Sequence, residues 1–138
     1  MKYILSSVGV LIVCLSFFLF KAEPNKEQCF CVNVVSNSSS ENDEMIKFKV
    51  KDKISSFFNN QNENLSSKIN ESVDDISFMT NQILSLYHCD YACEVKISEG
   101  KTPNLDFANI NLVGKNCKTI YIKLGEGNGK ETWQVLFE

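Results

Sequence analysis

Five cysteines and one histidine carry most of the reactive chemistry this sequence could support. Cys29, Cys31, Cys89, Cys93 and Cys117 lie beyond an apolar N-terminal run, and His88 adjoins Cys89. Thiolate and imidazole donors suit zinc, so one reading is a metal site built from Cys29, Cys31, His88, Cys89 and Cys93. The spacing argues against it: Cys-x-Cys and Cys-x3-Cys do not match the usual two-residue knuckle. The other reading is buried thiols and disulfides. An odd number leaves at least one cysteine unpaired in a monomer. Cys29 and Cys31 share a strand and are poorly placed to bond each other. A bond from that strand to Cys89 or Cys93 would staple the end of a helix to a sheet. A Cys–His nucleophile pair from His88 and Cys89 fails, because adjacent residues on a helix do not face each other.

The second candidate is Gly125-Glu126-Gly127-Asn128-Gly129-Lys130, which invites a phosphate-loop reading. Only three residues separate Gly125 from Gly129 where that loop needs four. Glu131 stands where a Ser or Thr would bind magnesium. The stretch also lies between two predicted strands, with no helix N-terminus to receive an anion. It reads instead as a hairpin loop needing positive φ. Asp74-Asp75 falls on the polar side of a predicted helix and reads as solvated. No Ser/His/Asp set can be nominated, so the sequence offers no catalytic residues and implies no cofactor.

The elements that would hold these residues centre on Phe30 to Phe58. Phe30, Val32 and Val34 alternate with Cys31, Asn33 and Val35, so both faces are largely apolar and the strand should be covered on both sides. Ser36 to Ser40 supply helix caps: Ser38 with Glu41 has capping-box spacing, and Ser40 with Asp43 is nearly equivalent. Glu41, Asp43 and Glu44 precede Lys47, Lys49, Lys51 and Lys53, the charge order a helix dipole favours. Ile46, Phe48 and Val50 alternating with lysines would also fit a strand. The doubled start signal and the run Ile46, Val50, Ile54, Phe57 decide for helix, and Phe48 then points away from the stripe.

Asn59 to Asn64 is a polar break, and Asn64 can cap the next helix. Leu65, Ile69, Val73, Ile76, Met79, Ile83, Leu86 and Tyr87 fall on one face and predict an amphipathic helix of about six turns, with Phe78 and Leu84 off that face. Cys93, Val95 and Ile97 form a short strand, and Glu99 to Pro103 a turn. Asn104 to Gly114 is ambiguous. Lys118 to Leu124 and Thr132 to Phe137 are strands that should pair as a hairpin. The fold class is α/β: a two-layer sandwich, a small mixed β-sheet with two long helices packed on one face.

A chain of 138 residues with 43% hydrophobic and 22% charged content suits one domain and a leader. A net charge of −3, with no basic stripe, gives no reason to expect nucleic acid. After Lys2, Tyr3 to Phe20 carries no charge, and as a helix it would span roughly 27 Å. Residues 1–22 therefore read as a signal peptide or an uncleaved membrane anchor, 23–29 as a linker and 30–138 as one exported domain. Cys14 lies inside the apolar run and reads as membrane-buried and inert. Asn37-Ser38-Ser39, Asn64-Leu65-Ser66 and Asn70-Glu71-Ser72 match the glycosylation pattern, as an Asn- and Ser-rich chain readily does.

Two stretches together resemble a known family. Val34-Val35-Ser36-Asn37-Ser38-Ser39-Ser40, then Asp43, then Ile46-Lys47-Phe48-Lys49-Val50-Lys51-Asp52 is similar to the N-terminal signature of stage II sporulation protein R. Leu124-Gly125-Glu126-Gly127-Asn128-Gly129 followed by Trp133-Gln134-Val135-Leu136-Phe137 resembles that family's glycine-rich hairpin and its Trp-Trp-Cys-Val-Leu-Phe strand. Ser36 and Ser39 stand where the family usually has Ala and Asp, Thr132 replaces the first Trp, and Gln134 replaces the Cys. The family's continuation, Pro-Pro-Leu-Cys and beyond, has no counterpart before Glu138, so the reading is of a divergent or C-terminally shortened member. Its two missing cysteines are expected to pair in the family. The resemblance implies a ligand rather than an enzyme. It would be exported into the space between forespore and mother cell, there to activate a membrane-embedded aspartic protease of the stage II sporulation protein GA type, which processes pro-sigma-E. Partner contacts are then expected near Asn37, Ser38, Lys47, Lys51, Gly127 and Trp133. The alternative is an exported cysteine-rich thiol or metal-binding module.

Overall fold

A computed structural model describes residues 29–60, 64–101, 106–107, 110–111 and 116–136. The leader, its Cys14, most of the linker and Phe137 lie outside the described residues. In chain order come β1 (Cys29–Val35), α1 (Glu41–Asn59), α2 (Leu65–Glu71), α3 (Val73–Leu86), β2 (Cys93–Lys101), β3 (Asp106–Phe107), β4 (Ile110–Asn111), β5 (Asn116–Leu124) and β6 (Glu131–Leu136). The class is α/β, as the periodicities predict. Strands β2, β5, β1 and β6 form one mixed sheet in that order, and β3 pairs with β4 separately.

The expected hairpin of the last two strands does not form. β1 lies between them, parallel to β5 and antiparallel to β6. The physical reason is the apolar character of β1, buried from Phe30 through Val35. Such a strand is most stable at the centre, with a neighbour on each edge and a layer on each face. Phe30, Val32 and Val34 join Ile120, Ile122, Leu124 and Leu136 in the main core beneath the helices. Each fully buried side chain of this kind contributes about 1.5–3 kcal/mol. Cys31 and Cys117 pack with Cys29, Trp133 and Val135 in a second cluster. By the two-residue period of strands, that cluster lies on the opposite face. β2 runs through the expected turn to Lys101, because Glu99, Gly100 and Lys101 keep pairing with Lys118, Cys117 and Asn116.

Helix α1 starts at the second of the two proposed caps: the Asp43 N–H donates to Ser40 Oγ at 3.2 Å. Ile46, Val50 and Ile54 are buried as the stripe requires, but Phe58, not Phe57, closes it. Phe48 points outward, 47% exposed.

The predicted six-turn helix is split at Ser72. Ser72 Oγ donates to the Lys68 carbonyl at 2.6 Å, and its N–H turns to Ile69, a local competition that bends helices. The break resets the helical phase. Ile76, Thr80 and Leu84 become the buried row of α3, while Leu86, expected inside, is 73% exposed. At the end of α3, the His88 N–H reaches the Ser85 carbonyl and the Cys89 N–H reaches the Leu84 carbonyl at 2.9 Å. His88 itself has φ of 56°. This is a Schellman closure with histidine at the position glycine usually fills. His88 therefore serves the backbone.

Candidate functional site

The loop from β5 to β6 must cross the end of β1, because β1 separates the two strands. Ser36 N–H donates to the Lys130 carbonyl at 3.3 Å, Gly129 N–H to the Ser36 carbonyl at 3.0 Å, and Asn128 N–H to the Asn37 carbonyl at 3.0 Å. Glu126 N–H donates to Asn37 Oδ1 at 3.0 Å. Gly125 and Gly127 have φ of 55° and 66°, so the positive φ read from the sequence is met there. Gly129 is required for another reason. A Cβ at that position would sit 1.9 Å from Ser36 Oγ and 2.3 Å from the Ser38 carbonyl oxygen.

Side chains lock this bridge to the start of α1. Asp43 is buried and accepts from Ser38 Oγ at 2.5 Å, Tyr91 OH at 2.7 Å and Asn37 Nδ2 at 3.1 Å. Burial alone would raise its carboxyl. The hydrogen bonds from Ser38, Tyr91 and Asn37, with a further contribution from Ser40, outweigh burial and hold it below its ordinary value. The Tyr91 hydroxyl is pushed up by its burial and then by Cys89 and the Asp43 carboxylate.

One residue on, Glu44 Oε1 accepts from Ser36 Oγ at 2.6 Å and from the Lys130 N–H at 3.1 Å. Glu44 Oε2 pairs with Lys47 Nζ, which also donates to the Lys130 carbonyl at 3.2 Å. The Lys47 contact, first, and then the Ser36 hydroxyl lower the Glu44 carboxyl to about 2. The result is a clamp in which every polar group named is satisfied within the chain. It holds shape, and it offers no open donor set to a substrate.

Four of the six residues expected at a partner surface meet here. Asn37, Ser38 and Lys47 are internal ties of the clamp, and Gly127 turns its loop. Lys47, read from sequence as a helix-dipole partner, is only 2% exposed. Lys51 lies one turn further along α1, beside Asp52 at 3.2 Å and with Nζ 5.6 Å from the Phe48 ring centroid. Trp133 is elsewhere, on the far sheet face with Cys31 and Val135, its Nε1–H donating to Glu131 Oε2 at 3.2 Å.

Sequence reasoning missed Ser36, Glu44, Tyr91 and Lys130 as members of the clamp. The acid pair Asp43-Glu44 was visible, but only as first-turn dipole partners. Tyr91 carried no signal, because its role depends on a contact 48 residues away in the chain. What the clamp leaves outward is Ser39 to Asn42, Glu126, Asn128 and Lys130. Beside them on α1 are Met45 and Phe48, 41% and 47% exposed. Lys47 Nζ lies 4.8 Å from the Phe48 ring centroid. A cleft of about 260 Å³ lined by Lys53, Ser56, Phe57, Asn60 and Met79 sits at the other end of α1 and holds no paired titratable groups.

The five-residue metal set does not assemble. Cys89 and Cys93 pack against the helix-side core and Cys29 and Cys31 belong to the far cluster. The staple from β1 to Cys89 or Cys93 is likewise absent: the bond formed is Cys29–Cys117, leaving Cys31, Cys89 and Cys93 free. Register explains it, since Cys29 stands directly beside Cys117 on the parallel neighbour. Burial pushes the Cys31 thiol up to about 11 and also raises Cys93, which makes both poor nucleophiles near neutrality.

Among families, the model described as stage II sporulation protein R matches residues 26–138. No curated protein and no solved structure gives a significant match.

Proposed function

The chain belongs to the stage II sporulation protein R family, and on that premise we propose that it is an exported protein ligand. It acts between forespore and mother cell by activating a membrane-embedded aspartic protease of the stage II sporulation protein GA type, which then processes pro-sigma-E. The family supports a signalling role in sporulation. The protease, the export and the location are the proposal's finer parts.

One observation carries the reading. The two stretches that resemble the family's signatures, about 90 residues apart in the chain, are fastened to each other in a single clamp. A signature whose residues are spent on internal hydrogen bonds specifies a rigid shape. The outward product is a small platform: the exposed loop residues, with Met45 and Phe48 as its apolar part. Exposed apolar side chains rimmed by polar ones are the usual mark of a protein contact, and aromatic anchors dominate such contacts. Phe48 and Met45 stand exposed on one stretch of α1, so a partner with an apolar pocket fits them.

The test is reconstitution of the protease and pro-sigma-E in membranes, with and without this protein on the outer side. Processing that depends on the added protein supports the proposal, and unchanged processing rejects it. The alternative, a thiol module working through Cys29, Cys31, His88, Cys89 and Cys93, loses its common site in the fold.

A further inference from the structure

Three of the cysteines, Cys29, Cys31 and Cys117, converge through strand register rather than through spacing in the chain. The two-residue period of β1 puts Cys29 and Cys31 on one sheet face, and the register sets Cys117 beside Cys29. Cys29 and Cys117 are joined as a disulfide. Cys31 Sγ lies 3.6 Å from Cys29 Sγ, and the three sulfurs lie within 4.8 Å of one another. Cys31 and Cys117 are buried, Cys29 is half-buried, and Trp133 and Val135 pack against them.

Two chemistries compete for such a trio. In thiol–disulfide exchange the entering sulfur attacks along the axis of the bond it breaks. With Cys31 Sγ 3.6 Å from Cys29 Sγ and an S–S bond of about 2.05 Å, an in-line approach would separate Cys31 and Cys117 sulfurs by roughly 5.6 Å. The observed ceiling of 4.8 Å excludes that line. The trio is a compact triangle instead. With metal–sulfur bonds of about 2.3 Å, three thiolates around one ion stand about 4 Å apart, a spacing the Cys29–Cys31 pair already approaches at 3.6 Å and Cys29 and Cys117 can reach only once their bond is opened. Among the described residues no histidine or carboxylate joins the group. A donor set of three thiolates selects a soft ion, and Cu(I) accepts it where Zn(II) seeks a fourth ligand.

We propose that the reduced chain binds one Cu(I) through Cys29, Cys31 and Cys117, and that formation of the Cys29–Cys117 disulfide empties this site. Opening it takes two electrons and two protons: a phosphine supplies the electrons and becomes the phosphine oxide, while water supplies the protons and the oxide's oxygen. Loading then displaces the protons of the three thiols. The site is independent of the signalling reading and survives if that reading fails.

The experiment titrates the full chain, reduced anaerobically with a phosphine, against Cu(I) in competition with a chromogenic Cu(I) chelator. Wild type is expected to hold one tightly bound Cu(I), the disulfide form none at that affinity, and Cys31→Ser to weaken binding by more than about a hundredfold. Cys31→Ser keeps the disulfide, so its oxidised form should still unfold in one cooperative transition, at a midpoint lowered by the buried hydroxyl, which separates loss of ligand from loss of fold. A double variant Cys89→Ser/Cys93→Ser should bind as wild type does. Undiminished affinity in Cys31→Ser overturns the proposal. So does loss in the Cys89/Cys93 variant, or equal affinity of wild type in denaturing urea.

Discussion

Replacing Glu44 by glutamine asks whether the clamp depends on charge. Lys47 is 2% exposed and Glu44 22%, and among the described residues Glu44 is the only carboxylate paired with that ammonium. In Glu44→Gln, Oε1 remains an acceptor for Ser36 and Lys130, but Lys47 is left with the Lys130 carbonyl alone. Breaking a fully buried pair costs about 3–5 kcal/mol. Water reaches the Glu44 side, so we expect about 2–3 kcal/mol at pH 7. A second route agrees. The Glu44 carboxyl is held at about 2 against an ordinary 4.5, and at about 1.4 kcal/mol per pH unit this sets a ceiling near 3 kcal/mol.

The sign follows from the direction. A carboxyl depressed on folding stabilises fully above the unfolded value, and the contribution fades as pH falls through the folded one. The stability gap between wild type and variant should therefore be full at neutral pH, shrink below about 4.5, and be nearly closed at about 2. Paired urea denaturation at a series of pH values measures it, because carboxylates common to both proteins cancel. A gap under about 0.5 kcal/mol at pH 7, or one that stays flat across that window, would refute the reasoning. The double variant Glu44→Gln/Lys47→Met should lose less than Glu44→Gln alone, since no buried charge is then stranded.

Phe48→Ala should leave stability within about 0.5 kcal/mol by thermal melting, as an exposed position does, while abolishing stimulation of processing in the reconstituted system. Gly129→Ala drives a methyl into Ser36 and Ser38, and should cost about 1–3 kcal/mol in denaturant unfolding together with the signal. His88→Gly relieves a left-handed residue at the end of α3 and should raise stability by about 0.5–1 kcal/mol, read as a higher urea midpoint at unchanged slope.

Local features were legible in the sequence because they depend on neighbours. The two-sided burial of β1, the Ser40 cap, the outward Phe48 and the positive φ of Gly125 and Gly127 all came from spacing and residue type. Features set by distant pairing were not. Sequence proximity favoured a β5–β6 hairpin, whereas the demand of β1 for two edges decided the strand order. Periodicity ran straight through Ser72, because a hydroxyl turning on its own helix leaves no trace in a hydrophobic pattern, and the error then misplaced Leu84 and Leu86. Lys47 read as a helix-dipole partner and an expected partner contact; a partner acid three residues back and a carbonyl 83 residues away made its burial tolerable. Cys29 found Cys117 through register, which no count of cysteines reveals.

The placement of β1 has a consequence for how the molecule comes into being. Both neighbours of β1 lie roughly 80 to 100 residues further along the sequence, so the sheet has no centre until β5 and β6 have been made. Pairings this remote make folding slow and hold the nascent polypeptide open.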